Sequence, residues 1–237
     1  MIKFFRKIRQ NLLSEGKTGK YLKYAVGEIV LVVIGILIAL SINNWSEEIK
    51  NRKFEKEILE QIRANLIKDK MTLESIQANF ENAMNSTDKV LKSEWETNEK
   101  DSLKYWLSDI IRFDRFQPLT NAFEVAKSKG LDLISNKELR FDIGAYYDYE
   151  IKRVVKAIED IEETFKEDWI YILRKETKEF KFGKFVVLKD FNILKDESEF
   201  TNILKTNKDN FNGGNMRIKS GIGHIDRIIN LLDEELQ

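Results

Sequence analysis

The chain has a long unbroken run of hydrophobic residues near its N-terminus, IVLVVIGILIAL at Ile29–Leu40. No charged residue lies between Glu28 and Glu47. The 22 residues from Tyr24 to Trp45 would form a helix about 33 Å long, enough to cross a bilayer core of about 30 Å. The pattern therefore predicts a transmembrane helix at residues 24–45. Its ends carry aromatic side chains of the kind that lie at headgroup depth, namely Tyr21, Tyr24 and Trp45.

A cleaved signal peptide and a buried core helix are the alternatives for this run. Ala39-Leu40-Ser41 has the small-x-small form of a cleavage site. However, the basic region before the run extends over residues 1–23, and Glu28 interrupts the approach to it. A buried core helix would not usually carry a basic collar and aromatic ends. We therefore expect an uncleaved single span.

After Trp45, apolar residues recur with heptad spacing. They are Leu59, Leu66, Leu73 and Phe80, with Ile62, Ile76 and Ala83 between them. Asp69 interrupts the series at a core-type position. No Gly or Pro occurs between Gly35 and Pro118, so the membrane helix can continue into this segment. The pattern fits one helix of an intramolecular bundle or a self-pairing coiled coil, and it does not separate the two.

The rest of the chain is predicted to be mainly helical. A capping-box sequence at Ser135–Glu138 opens a long helix whose apolar periodicity covers Ile143–Ile172. Residues 182–188 form a strand-like run without an evident partner, which favours a connector. Further helices are expected at residues 196–210 and after Gly213-Gly214. The expected fold class is mainly α, with one N-terminal transmembrane helix followed by a long helix and an extracytoplasmic helical bundle.

Charge is distributed unevenly along a chain whose formal net charge is zero. Residues 1–23 hold seven basic residues against Glu15, a net charge of +6, so the remainder carries −6. The basic residues are Lys3, Arg6, Lys7, Arg9, Lys17, Lys20 and Lys23. Because Lys and Arg beside a span stay in the cytoplasm, we predict a basic cytoplasmic tail at residues 1–23, a transmembrane helix at 24–45 and a helical extracytoplasmic domain at 46–237. The acidic remainder argues against a nucleic-acid partner.

Residues that commonly carry catalysis are few. The chain has no Cys, and His224 is its only His, which excludes thiolate chemistry and His/Cys zinc sites. The carboxylate cluster Glu159–Glu163 has basic residues three and four positions away, the spacing of surface ion pairs. The aromatic residues Phe141, Tyr146, Tyr147 and Tyr149 fit a helical core better than a pocket. We expect no enzymatic activity, no cofactor and no metal site.

Three residues of the predicted span fall on nearly the same helical face. Gly35 and Ala39 form a small-xxx-small pair, which allows two helices to approach closely. Glu28 lies about 6 Å of helix inside Tyr24, where a carboxylate is a functional candidate. The helix dipole also favours a negative charge at this end, so Glu28 could serve as an interfacial anchor instead. Both interpretations remain open.

The N-terminal block has a sequence that resembles a known family. Over residues 1–48, and chiefly in KYLKYAVGEIVLVVIGILIALSINNW at Lys20–Trp45, the chain resembles an uncharacterised family of small single-span membrane proteins from Bacteroidota. The stretch LISNKELRFDIGAYY at Leu133–Tyr147 is also similar to theirs. The resemblance implies membrane anchoring and a domain of unknown function, and it supplies no activity and no site residues.

These observations favour a non-enzymatic, membrane-anchored scaffold, adaptor or accessory subunit of a bacterial envelope complex, in the inner membrane. The expected partners are the lipid bilayer, other membrane or envelope proteins and, through the span or the heptads, a second copy of the chain. One alternative is an extracytoplasmic sensor that signals through a partner, since residues 1–23 leave no room for an output domain. The other is a single-span subunit of a proton-driven complex that uses Glu28.

Overall fold

The computed structural model describes residues 18–92, 99–195 and 197–237, and these are mainly helical. The chain divides into two compact units, Met1–Phe54 and Glu55–Gln237. The helices are α1 (Thr18–Val90), α2 (Glu99–Ile110), α3 (Asn121–Lys129), α4 (Lys137–Ala145), α5 (Ile151–Thr164), α6 (Ile170–Glu176) and α7 (Glu199–Glu235). The strands β1 (Thr177–Lys181) and β2 (Phe185–Leu188) lie between α6 and α7.

Helices α4, α5 and α6 follow one another through two wide, π-helical turns, at Tyr146–Glu150 and Phe165–Trp169. At the end of each turn a backbone N–H donates to the carbonyl five residues earlier, from Ile151 to Tyr146 and from Ile170 to Phe165. Such turns insert one extra residue and are frequent at functional sites. The long amphipathic helix that the sequence predicts is therefore present, with two wide turns in its course.

Helix α7 runs antiparallel to both other long helical segments of the second unit. Side-chain contacts with α1 follow one register, since each step forward on α1 is matched by an equal step back on α7. They are Arg63 with Asp233, Lys70 with Asp226, Glu81 with Asn215 and Asp88 with Lys208. Contacts with the α4–α5 segment also run in opposite directions, namely Asp142 with Arg227, Glu150 with Ser220 and Thr164 with Asn210.

The heptad face of α1 is buried by the other elements of the second unit. All seven predicted residues are at most 3% exposed, namely Leu59, Ile62, Leu66, Leu73, Ile76, Phe80 and Ala83. Exposed ion pairs contribute little to stability, whereas a buried apolar side chain contributes about 1.5–3 kcal/mol. The apolar face, and not the polar contacts along its rim, therefore supplies most of the stability of this packing. Self-pairing of two chains stays a prediction.

The predicted break at Gly213-Gly214 is wrong, because α7 continues through both glycines to Glu235. The reason is packing against α1 and α5. A Cβ atom at Gly214 would lie 2.6 Å from Cε2 of Phe80 and 3.5 Å from the carbonyl of Ala157. The close packing of Gly214 on the Phe80 ring and the Ala157 carbonyl outweighs the low helix propensity of glycine, about 1 kcal/mol.

The connector predicted at residues 182–188 is also wrong, because this run contributes a strand to a hairpin. The β2 strand pairs with β1 in an antiparallel hairpin, with Phe185 opposite Lys181 and Leu188 opposite Thr177. Gly183 occupies the turn with φ of +67°, a conformation that glycine adopts without steric cost. Val186 and Leu188 are buried in the apolar core beside α2.

The start of α4 differs by one residue from the predicted capping box. Asn136 is the N-cap, and its side-chain oxygen accepts hydrogen bonds from the N–H groups of Glu138 and Leu139, each at 3.1 Å. Ser135 instead donates its N–H and its hydroxyl to the Glu55 carboxylate, at 2.6 and 2.7 Å. Asn and Ser are almost equally good N-caps, so local sequence did not distinguish them.

Candidate functional site

The apolar part of α1 is exposed on every side. None of the residues in Ile29–Leu40 is buried, and Leu31 and Ile38 expose 64% and 55% of their surface. The predicted interface residues Tyr24 and Trp45 are exposed as well. In the part of the chain that the structure describes, one helix is long and apolar enough to cross a membrane. A helix that is apolar all round requires an apolar environment on all its sides.

Glu28, Gly35 and Ala39 lie on this exposed part of α1. Glu28 is half-buried, whereas Gly35 and Ala39 are exposed. A Cβ atom added at Gly35 would meet nothing within 4 Å, so the face is open to a second helix. Lys23 is exposed. The other predicted topology and anchor groups lie outside the described residues, namely Lys3, Arg6, Lys7, Arg9 and Lys17, together with the side chains of Lys20 and Tyr21.

In the second unit, Asp69 is a carboxylate buried in an otherwise apolar helix face. It is 2% exposed, and its two oxygens accept a hydrogen bond from the N–H of Leu119 at 3.2 and 3.1 Å. Burial raises the pKa of Asp69 to about 6, and the Leu119 N–H opposes that shift. A charged group in a poorly solvated site favours its neutral form. Asp69 therefore takes up a proton at a higher pH than an ordinary carboxyl group does, near pH 6.

The hydroxyls of Tyr146 and Tyr147 share the surroundings of Asp69. Burial and the Asp69 charge raise the pKa of both tyrosines. Both hydroxyl oxygens are buried, and neither has a hydrogen-bond partner among the described residues. The two tyrosines begin the first π-helical turn, and the ring of Tyr147 stacks on Phe123 at 4.6 Å. This region is a buried polar cluster, and the sequence signalled it only as the interruption of the heptads at Asp69.

Glu150 ends the same π-helical turn and is 5% exposed. Its carboxylate accepts a hydrogen bond from the Ser220 hydroxyl at 2.7 Å, and Arg153 lies 3.5 Å away. The single histidine, His224, is exposed and has Nδ1 at 2.9 Å from the Ser220 carbonyl and at 4.0 Å from Glu150. Glu150 thus joins α7 to the turn, and His224 lies at the edge of this contact.

Glu162 joins the segment after α2 to α5. The Arg115 guanidinium donates to both of its oxygens, at 2.9 and 2.7 Å, and Lys166 lies 2.7 Å away. These cations lower the pKa of Glu162 to about 2. Paired donation by Arg is the strongest common carboxylate contact. Glu162 belongs to the acidic cluster that was predicted to form surface ion pairs, and it links α5 to the segment after α2.

The predicted aromatic core is only partly present. Tyr146 and Tyr147 are buried, but Phe141 and Tyr149 expose 73% and 62% of their surface. The described residues include no group of His, Asp and Glu side chains that could hold a metal ion.

Comparison with known proteins assigns the chain to a family. No curated protein and no solved structure matches it. A family model described as a family of unknown function (DUF6090) matches residues 28–206. The match begins at residue 28, immediately before the apolar run, ends within α7, and includes the whole heptad series and the whole hairpin. This chain therefore belongs to the DUF6090 family of unknown function.

Proposed function

We propose that this protein is a non-enzymatic scaffold, adaptor or accessory subunit, anchored by one span at residues 24–45. The observation that carries the proposal is the exposure of Ile29–Leu40 on all sides. Burying a large aliphatic side chain stabilises it by about 1.5–3 kcal/mol relative to water, so twelve half-exposed residues forgo on the order of 10 kcal/mol in water. A bilayer removes this penalty along the whole run.

The proposed location is a bacterial inner membrane, with the tail in the cytoplasm and residues 46–237 outside. The net charge of +6 in residues 1–23 supports this orientation. The resemblance to single-span proteins of Bacteroidota supports the bacterial setting. In this arrangement the second unit faces an aqueous compartment on the far side of the membrane, where its partners would meet it.

The surface of the second unit supports partner binding as its role. Phe141, Tyr149 and Tyr171 each expose at least 62% of their surface. Aromatic side chains are enriched at protein interfaces, where they supply large contact areas. A second copy of the chain is one candidate partner, because Gly35 and Ala39 leave one face of the span open to close approach.

Co-purification from native membranes tests the proposal. A scaffold or adaptor should retain a defined set of envelope proteins after solubilisation in mild detergent, and a second, differently tagged copy if it self-associates. A chain that purifies alone from membranes in which it is present at its natural level would contradict the proposal. In the control, the same tag is fused to an unrelated single-span protein and purified in the same way. Proteins that are found in both preparations are non-specific binders and are discounted.

Glu28 allows a test of the proton-coupling alternative, since it is the only charge in residues 24–45. If Glu28 carries protons, Glu28→Gln should abolish the cellular phenotype that the gene supports while leaving insertion and abundance unchanged, because Gln keeps the size but cannot ionise. Glu47→Gln removes a carboxylate just beyond the span and is the matched control. An unaltered phenotype in Glu28→Gln would leave this residue as an interfacial anchor.

A further inference from the structure

A shallow groove of about 470 Å³ lies on the surface of the second unit. One wall is formed by the first π-helical turn and α5, and the other wall is formed by α7. The groove is rich in basic side chains and has one exposed aromatic ring. Its lining residues are Asp148, Tyr149, Lys152, Arg153, Lys156, Ala157, Asp160 and Arg217. From Tyr149 to Asp160 the α5 side extends over about 16 Å, at about 1.5 Å per residue.

The acidic residues of the groove are already engaged. Asp148 receives Lys127 at 2.6 Å, and Asp160 receives Lys156 at 2.8 Å. Lys152 would ordinarily pair with a carboxylate one helical turn away. Asp148 holds that position, but it is turned to Lys127 on α3. Lys152 is consequently left without an ion-pair partner among the described residues.

Arg217 is unpaired for a different reason. The positions three and four residues away on α7 are Gly213, Gly214, Ser220 and Gly221, none of which carries charge. Gly214 and Gly221 are there because α7 packs closely on Phe80 and Val154. These residues provide no carboxylate beside the guanidinium of Arg217, which lies on the α7 wall of the groove. No hydrogen bond or ion pair joins it to the described part of the chain.

The remaining cations of the groove are partly committed. Arg153 stacks over the ring of Tyr149, with its guanidinium carbon 5.1 Å from the ring centre. Lys156 contacts Glu163 as well as Asp160. The ring of Tyr149 is 62% exposed. The groove thus offers unpaired positive charge on both walls, beside apolar surface that an approaching chain can cover.

We propose that this groove docks an acidic segment of a partner protein. A peptide with carboxylates on successive turns or alternate residues would pair with Lys152 and Arg217 across the groove, and Arg217 is free to bind a carboxylate through two N–H groups. Apolar side chains of the segment would pack on Tyr149. The inference rests on the proposed adaptor function and adds the chemistry of the partner.

The test uses the full chain in micelles of a neutral detergent and a fluorescein-labelled ten-residue peptide of alternating Glu and Ala with blocked ends. Lys152→Gln combined with Arg217→Gln should weaken binding about fivefold, the expected sum of two exposed charge pairs. Carbodiimide joins carboxylates to nearby lysines, so it should couple the peptide to Lys152 or Lys156. Lys178→Gln with Lys181→Gln removes the same charge from exposed positions on β1 and should leave the affinity unchanged.

The variant with Lys152→Gln and Arg217→Gln is called the groove variant. The proposal would be overturned if the groove variant and the natural chain bound the peptide with equal affinity, or if the peptide coupled only to lysines outside the groove. Vesicles containing phosphatidylglycerol that bind in a Lys152- and Arg217-dependent manner more tightly than the peptide would also overturn it, in favour of an anionic lipid. Both variants keep the basic tail at residues 1–23. Peptide that binds to the tail therefore contributes equally to the two measured affinities. If partners co-purify unchanged with the groove variant, the groove proposal fails while the adaptor function stands.

Discussion

Gly214→Ala is expected to lower the free energy of unfolding of the second unit by about 2 kcal/mol, as overpacking of a well-filled core does. The added methyl would lie 2.6 Å from Cε2 of Phe80. That ring is 1% exposed and packs edge-to-face on Phe211 with centroids 5.0 Å apart, so it cannot swing aside. The strain must then be relieved by separating α7 from α1.

Gly213→Ala is the matched control, because it makes the same change one residue away. A Cβ atom at Gly213 meets nothing within 4 Å, and alanine is the better helix former by about 1 kcal/mol. The control should therefore be neutral or stabilising. Urea denaturation of the full chain, followed by tryptophan fluorescence, measures both. Equal stabilities of the two variants would contradict the close contact of α7 with Phe80.

Asp69→Asn is expected to remove a pH dependence of stability of about 1.4 kcal/mol between pH 5 and pH 7.5. Burial raises the pKa of Asp69 to about 6 in the folded chain, from an ordinary value of 3.8. The folded state therefore binds this proton more tightly than the unfolded state. The resulting stabilisation is complete below about pH 3.8 and is lost as the pH rises through about 6.

The asparagine variant keeps the acceptor for the Leu119 N–H but cannot ionise. The difference in unfolding free energy, variant minus natural chain, should therefore grow from pH 5 to pH 7.5. Within this window Glu162, whose pKa is lowered to about 2, does not contribute. Asp88→Asn makes the same chemical change at an exposed carboxylate of α1. Parallel pH profiles for the natural chain and Asp69→Asn would show that Asp69 is better solvated than its burial indicates.

Asp69→Leu separates the hydrogen bond from the charge at the same position. Leucine removes the charge but leaves the Leu119 N–H without its acceptor, which costs about 1–3 kcal/mol when the donor is buried. A leucine variant as stable as the asparagine variant would mean that this N–H finds another acceptor or water.

Much of the fold was predictable because burial here follows simple periodicity. The residues of the heptad series on α1 are buried as their spacing indicates, since one apolar face of a helix must be covered. The apolar run at Ile29–Leu40 is exposed along its whole length, with no residue buried. The heptad series and the apolar run each consist of many residues, so one residue that departs from the pattern does not obscure it.

The features that escaped prediction depend on single tertiary contacts. Gly213-Gly214 resembles a helix break until the contact of Gly214 with Phe80 is known. The β1 strand, TKEFK, has little apolar alternation and is recognisable only through its pairing with β2. A contact between residues far apart in sequence has little effect on the local pattern of apolar and polar residues from which helices and strands are predicted.

The candidate sites show the same division. Glu28, Gly35 and Ala39 were proposed because a charge or a small residue is conspicuous in an apolar run, and their roles stay predictions. Asp69 was visible as a polar residue at a core position, but its tyrosine neighbours come from a π-helical turn that the sequence does not announce. The basic groove depends on Asp148 being held by Lys127, which no spacing rule indicates.

The most direct test of membrane anchoring and orientation uses the absence of cysteine from the chain. Single cysteines replace Lys3 in the tail or Lys184 in the hairpin turn, and spheroplasts are treated with a membrane-impermeant maleimide. The proposed topology predicts that Lys184→Cys reacts in intact spheroplasts, that Lys3→Cys reacts only after permeabilisation, and that both proteins stay in the membrane pellet after alkaline carbonate. Reaction of Lys3→Cys in intact spheroplasts, protection of Lys184→Cys, or release of the protein by carbonate would contradict it.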